Sequence, residues 1–162
     1  MDLRLALVTP DNVDAACRLA IRPEQDGVVA PVAVSLAEAY ASPDVAWPRL
    51  VTDGDGGPVV GFVMGAFEPG NEVPAFRCGI WRLNVAADAQ GQGVGRFAVD
   101  AVAAEARRRG EDRITVLWVR HEHGPEEFYL RLGFRPTGEE LFGQVVGELV
   151  LAPREQAEAA GG

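Results

Sequence analysis

Apolar positions along this chain follow two spacings, every second residue in some stretches and every third or fourth in others. "LRLALVT" (Leu3 to Thr9) alternates and predicts a first strand. Asp11 then suits an N-cap for a helix through "NVDAACRLAI", with Asp14 in its first turn and Pro23 ending it. Ser35 followed by Glu38 has capping-box spacing and predicts a short second helix in "SLAEAY". "AWPRLVT" and "PVVGFVMGAF" read as strands joined by the turn residues "DGDGG", a hairpin. Pro48 marks the first of them as irregular or as lying at a sheet edge.

A polar loop, "EPGNEVPAF", precedes the strand "CGIWRLNV" (Cys78 to Val85). "AADAQGQGVG" follows, and then a helix from about Gly95 to Arg109 closed by Gly110, with Arg107, Arg108 and Arg109 at the negative end of its dipole. "RITVLWV" (Arg113 to Val119) is an apolar, β-branched strand, so strand, helix and strand make a parallel βαβ unit. The short helix "PEEFYLRL", Gly133 and the strands "FRPTGEE" and "QVVGELVL" complete the pattern. The order β-α-α-β-β-β-α-β-α-β-β is that of one mixed α/β domain over residues 1–152, with a disordered tail expected over 153–162. Parallel neighbours leave a crevice at their carboxyl ends, where such folds bind ligands.

Composition narrows the function classes. The net charge of −9, with five arginines against eleven carboxylates in residues 1–80, disfavours nucleic acid and favours cationic partners. No apolar run reaches the roughly 20 residues of a membrane span, and a cytoplasmic protein is expected. Cys17 and Cys78 sit in apolar stretches and read as buried, reduced thiols. His121 and His123 lack a third ligand nearby, so no metal site is expected.

"QGQGVG" (Gln90 to Gly95) stands between a strand and a helix. Its glycines allow positive φ and close backbone approach, and the first N–H groups of the helix have no partner within it. Together they form a cradle for an anion such as a pyrophosphate; a turn that binds nothing is the alternative. No "GK[ST]" follows, the chain has no lysine, and the glycines do not fall as G-x-G-x-x-G, which excludes a Walker A loop and a dinucleotide fingerprint.

The context resembles the GNAT superfamily of acyl-CoA-dependent N-acetyltransferases. "LNVAADAQGQGVGRFAVDAV" is similar to its central motif, a strand ending in L-x-V and then Q/R-x-x-G-x-G/A, with Gln90, Gly93 and Gly95 in the defining places. "EEFYLRLGF" is similar to its second motif. The resemblance implies a central, mostly antiparallel twisted sheet of about seven strands with a splayed parallel pair and about four flanking helices. It implies acetyl-CoA as cosubstrate. The backbones of Leu83, Asn84 and Val85 would bond the pantetheine arm, and Gly91, Gln92, Gly93, Val94, Gly95 and Arg96 would hold the pyrophosphate, with Gln90 stabilising the loop. It further implies Tyr129 as the general acid for the departing thiolate; a phenol near pKa 10 remains protonated where a thiol near 8.5 ionises. Glu68, Glu126 and Glu127 are conceivable bases, and none is assigned. Relatives carry Asn where this chain has Glu122, which leaves that contact in doubt.

Within the family the pattern is nearest bacterial spermine/spermidine-type acetyltransferases. Glu24, Asp26 and Glu38, with Glu68 and Glu72 in the loop before the central strand, are the carboxylates expected to suit a polyamine. Another acceptor remains open (an aminoglycoside-like antibiotic, an amino acid or a protein amine), as does a non-catalytic acyl-CoA sensor. A homodimer through the C-terminal strands is possible.

Overall fold

The computed structural model describes residues 1–25, 27 and 29–152. Among them, seven strands form one sheet in the order β1-β2-β3-β4-β5-β7-β6. The strands are β1 (Leu3–Ala6), β2 (Ala46–Asp53), β3 (Val59–Phe67), β4 (Cys78–Val85), β5 (Arg113–Trp118), β6 (Arg135–Leu141) and β7 (Gln144–Val150). The helices are α1 (Val13–Cys17), α2 (Val32–Ala41), α3 (Val94–Arg108) and α4 (Glu126–Arg131). Every neighbouring pair of strands is antiparallel except β4 and β5, which run parallel. This is the mixed α/β sheet expected from the sequence.

The sheet is covered on both faces, and alternation along β2 and β3 divides the core in two. Leu50, Phe62 and Met64 pack with Ala16 of α1 and Val32 of α2 on one face. Val51 and Val63 pack with Ala98, Val99 and Val102 of α3 on the other. A strand covered on both faces reads as the continuous apolar run "VVGFVMGAF". α3 buries Val94, Ala98, Val102 and Ala106 along one stripe at four-residue spacing.

Several boundaries differ from the sequence reading, each for a local reason. α1 is one short turn begun by Asn12, not by Asp11, and the Asn12 carboxamide folds back to accept the Thr9 N–H at 2.8 Å. α2 begins at Val32 behind Pro31, so Ser35 is an interior, fully buried helix residue and caps nothing. Pro48 lies in β2 between two strands, yet β1 pairs only with residues from Leu50 to Asp53, so the missing N–H falls beyond the end of β1. The expected tail over 153–162 lies outside the described residues.

Cys17 is exposed, contrary to expectation, whereas Cys78 is buried. Burial, aided by the Glu111 carboxylate, pushes the Cys78 thiol up to about 12. The folded state therefore keeps its proton where the unfolded chain loses it. As the pH rises from 9 to 10 this group is expected to lower stability by about 1 kcal/mol. Denaturant titrations of wild type and Cys78→Ala across that range should show a shallower slope for the variant.

β6 and β7 are joined by Phe142 and Gly143 alone, with φ of 54° and 72°. Two positive φ values are what a type I′ hairpin turn requires, and Asn-Gly is its preferred pair. Phenylalanine in that left-handed conformation costs roughly 1–2 kcal/mol relative to a relaxed backbone.

Candidate functional site

The parallel pair is short. β4 and β5 meet at Gly79 with Thr115 and at Ile80 with Val116, and pairing stops there. On the other edge of β4 the register shifts at the same point: Met64 faces Arg82 and Gly65 faces Ile80, so Trp81 is an extra, bulged residue. A bulge bends its strand, and here it does so where the two strands separate. The Ala86 N–H donates to Val60 O at 2.9 Å. Alternation then turns the backbone groups of Asn84 toward β3 and those of Leu83 and Val85 toward the gap. The Asn84 side chain is buried, donates from Nδ2 to Ala30 O at 2.9 Å and leaves Oδ1 without a partner.

A cleft of about 1360 Å³ follows this gap. At the C-terminal end of β4 it meets the glycine turn. Gly91 and Gly93 adopt φ of 78° and 86°, which side-chain-bearing residues avoid, and Gly93 stands immediately before α3. The first helical bond runs from the Phe97 N–H to Gly93 O at 3.0 Å. The N–H groups from Gly91 to Arg96 find no acceptor among the described residues. Gly91, Gly93, Val94, Gly95 and Arg96 line the cleft, whereas Gln92 does not, its side chain donating to Asp88 O. Gly95 has a further reason to be glycine: a Cβ there would stand 2.9 Å from the Phe128 ring. Gln90 braces the turn, its Nε2 donating to Val85 O at 3.3 Å and to Gln25 Oε1 at 2.9 Å.

Tyr129 also lines the cleft. Its ring stacks on Trp118 at 5.6 Å and meets Phe128 and Phe134 edge-on at 5.0 and 5.4 Å. Burial alone pushes its phenol well above the ordinary tyrosine value, so it is protonated throughout the neutral range. Trp118 is buried with no partner for its indole Nε1, and it too lines the cleft.

The cleft's other walls come from the β3–β4 loop, which supplies Glu68, Asn71 and Phe76, and from Phe142 and Gln144 at the β6–β7 turn. Of the carboxylates expected at the acceptor site, Glu68 lines the cleft, and Glu24, Glu38 and Glu72 do not. Glu24 is exposed and outside the lining. Glu38 is bonded to Arg82 Nη2 at 3.2 Å, which commits its carboxylate. Asp26 lies outside the described residues. Glu68 is the one carboxylate lining the cleft among the described residues, beside Arg82, Arg96 and Arg131. Glu127 pairs with Arg131 and Glu126 with Arg120, and neither lines the cleft. Sequence reasoning missed Phe76, Trp118, Gln25 and Phe142. Only Phe142 left a local signal, an aromatic residue in a turn where asparagine belongs. Among the described residues no group of three or more His, Cys, Asp or Glu is placed to hold a metal ion, and no helix is long and apolar enough to cross a membrane.

Solved structures with this fold include an acetyltransferase from Thermus thermophilus, at TM-score 0.72 and 21% identity over 93% of this chain and 98% of that one. The GNAT domain of PAT from S. lividans matches at TM-score 0.70 and 18% identity, over 92% and 89% of the two chains. YhbS, a GNAT family N-acetyltransferase of Escherichia coli solved in complex with CoA, matches at TM-score 0.65 and 18% identity, over 93% and 82%. No curated protein matches the chain significantly. The model of the Acetyltransferase (GNAT) family matches residues 12–134, which include the parted strands, the glycine turn and Tyr129. The chain belongs to the acetyltransferase (GNAT) family.

Proposed function

We propose that the protein moves an acetyl group from acetyl-CoA directly to the primary amine of a small cationic molecule, with residues 1–152 as one catalytic unit. The observation that carries this reading is the unpaired edge of β4 leading into a row of free amides. The residues fit the donor. A pantetheine arm has amide groups that can bond Leu83 and Val85 as a further strand does, and the pyrophosphate suits the amides from Gly91 to Arg96. Two buried polar atoms of the cleft lack partners, an acceptor on Asn84 and a donor on Trp118. Each unmet group costs about 1–3 kcal/mol, so a ligand bearing both donors and acceptors would relieve them.

Acetyl-CoA supplies an activated acetyl thioester. The chain's own groups do the rest. The Val85 N–H, facing the gap, donates to the thioester carbonyl oxygen and stabilises the negative charge that grows there as the amine attacks. The new C–N bond forms as the C–S bond breaks, and the Tyr129 phenol gives its proton to the departing sulfur. The ammonium loses one proton to water before it attacks, a loss that burial in the cleft favours, and the second proton shed as the amide forms returns through solvent to the Tyr129 oxygen. Glu68 draws the ammonium form into the cleft by its charge.

A polyamine is the acceptor read from the sequence. With Glu38 paired, Glu68 supports one positive charge at the site better than several. The reading is tested by stoichiometry, one thiol released for each amine acetylated. A non-catalytic sensor would bind acetyl-CoA and release none.

A further inference from the structure

Phe142 stands where two ordinary rules are broken together. Its backbone is left-handed, φ 54°, at a turn position that suits asparagine, and its side chain is 84% exposed. In return it makes one aromatic contact, with Phe76: the ring centroids lie 6.2 Å apart and the planes differ by 10°. Both rings line the cleft. Strained backbone of this kind clusters at active sites, ligand clamps and switch regions.

The β3–β4 loop also gives the same cleft a carboxylate, Glu68. The Glu68 N–H donates to Arg77 O at 2.8 Å, closing the loop so that Glu68 lies across from the residue that follows Phe76. Asn71 fixes the carboxylate, with Nδ2 donating to Glu68 Oε2 at 2.7 Å, and the Arg77 Nε donates to Asn71 O at 2.7 Å. One carboxylate held by Asn71 and two parallel rings therefore line the same cleft.

We propose, building on the acetyltransferase reading, that Phe76 and Phe142 seat the body of the acceptor and that the acceptor is an arylalkylamine. Such a molecule carries one ammonium, for Glu68, joined by a short aliphatic link to a flat apolar ring. The ring stacks in offset geometry on the parallel phenyl faces, a preference that a saturated chain does not share. A polycation would need further carboxylates, and the other charged residues lining the cleft among the described residues are the arginines Arg82, Arg96 and Arg131.

The experiment is calorimetric titration of the CoA-bound protein, which cannot turn over, with 2-phenylethylamine, n-butylamine and spermidine. Wild type is compared with Phe142→Asn, a substitution that suits the turn and replaces the ring by a small carboxamide. Wild type should bind 2-phenylethylamine about tenfold or more tightly than either other amine. Phe142→Asn should abolish that preference, with CoA affinity within about twofold of wild type and a melting temperature no lower. Equal or tighter binding of butylamine or spermidine by wild type, no binding of any amine, or a preference that survives in the variant would overturn the aromatic seat. Thiol release from acetyl-CoA with the same amines separates the two readings. Preferential binding without release leaves the seat standing and refutes acetyl transfer, whereas release with spermidine alone supports transfer and refutes the seat.

Discussion

Turnover by Tyr129→Phe is expected to fall at least about tenfold, a floor below the roughly 10²–10⁴-fold that general acids contribute, with acetyl-CoA affinity changed less than about twofold. The substitution removes one oxygen and nothing else. The ring keeps its stack on Trp118 and its edge contacts with Phe128 and Phe134, so the fold and the cleft wall remain. What is lost is the proton for the leaving sulfur. Because burial raises the phenol above its ordinary value, the folded enzyme holds this proton up to and beyond pH 10. Wild-type kcat should therefore show no alkaline fall from this group below pH 10. Steady-state kinetics with saturating acetyl-CoA checks both points. Undiminished turnover in the variant would leave Tyr129 as packing alone.

The second large effect is expected at Gly93. Gly93→Val places a β-branched residue at φ 86°, a conformation such residues avoid. Space is not the difficulty, since a Cβ there meets nothing within 4 Å. The backbone must instead rotate, and the N–H groups ahead of α3 lose their common aim. Acetyl-CoA affinity should weaken at least about tenfold, the scale of two charge-assisted hydrogen bonds or fewer. Gly70→Val is the matched control, because Gly70 has open space around it and no positive φ. Calorimetric titration of both variants with CoA measures the difference. Equal affinities would mean that the turn does not hold the pyrophosphate.

The parts legible in the sequence are those set by local pattern. The element order followed from periodicity, because β3 and α3 each bury what their spacing says they bury. The glycine turn was legible because positive φ at Gly91 and Gly93 is a local demand. What could not be read is what the sheet brings together from afar. Ser35 and Glu38 have capping-box spacing, yet burial against β2 carries Ser35 into the helix interior and Pro31 takes the N-terminal place. Glu38 looks like a free carboxylate until Arg82, 44 residues later, arrives on β4. Phe76 and Phe142 belong to separate loops and become one surface only when β7 pairs with β5. The sequence therefore offered several carboxylates for the acceptor, of which Glu68 alone lines the cleft among the described residues, together with Phe76 and Phe142.

The central claim is direct transfer of an acetyl group to an amine in the gap between β4 and β5. The measurement that tests it most directly is the initial rate of thiol release from acetyl-CoA with and without primary amines, with the acetylated amine quantified by mass spectrometry in the same samples. Release that saturates with amine and matches the acetylated product one to one is expected. Bound acetyl-CoA with no amine-dependent release across aryl, alkyl and polyamine acceptors would contradict it.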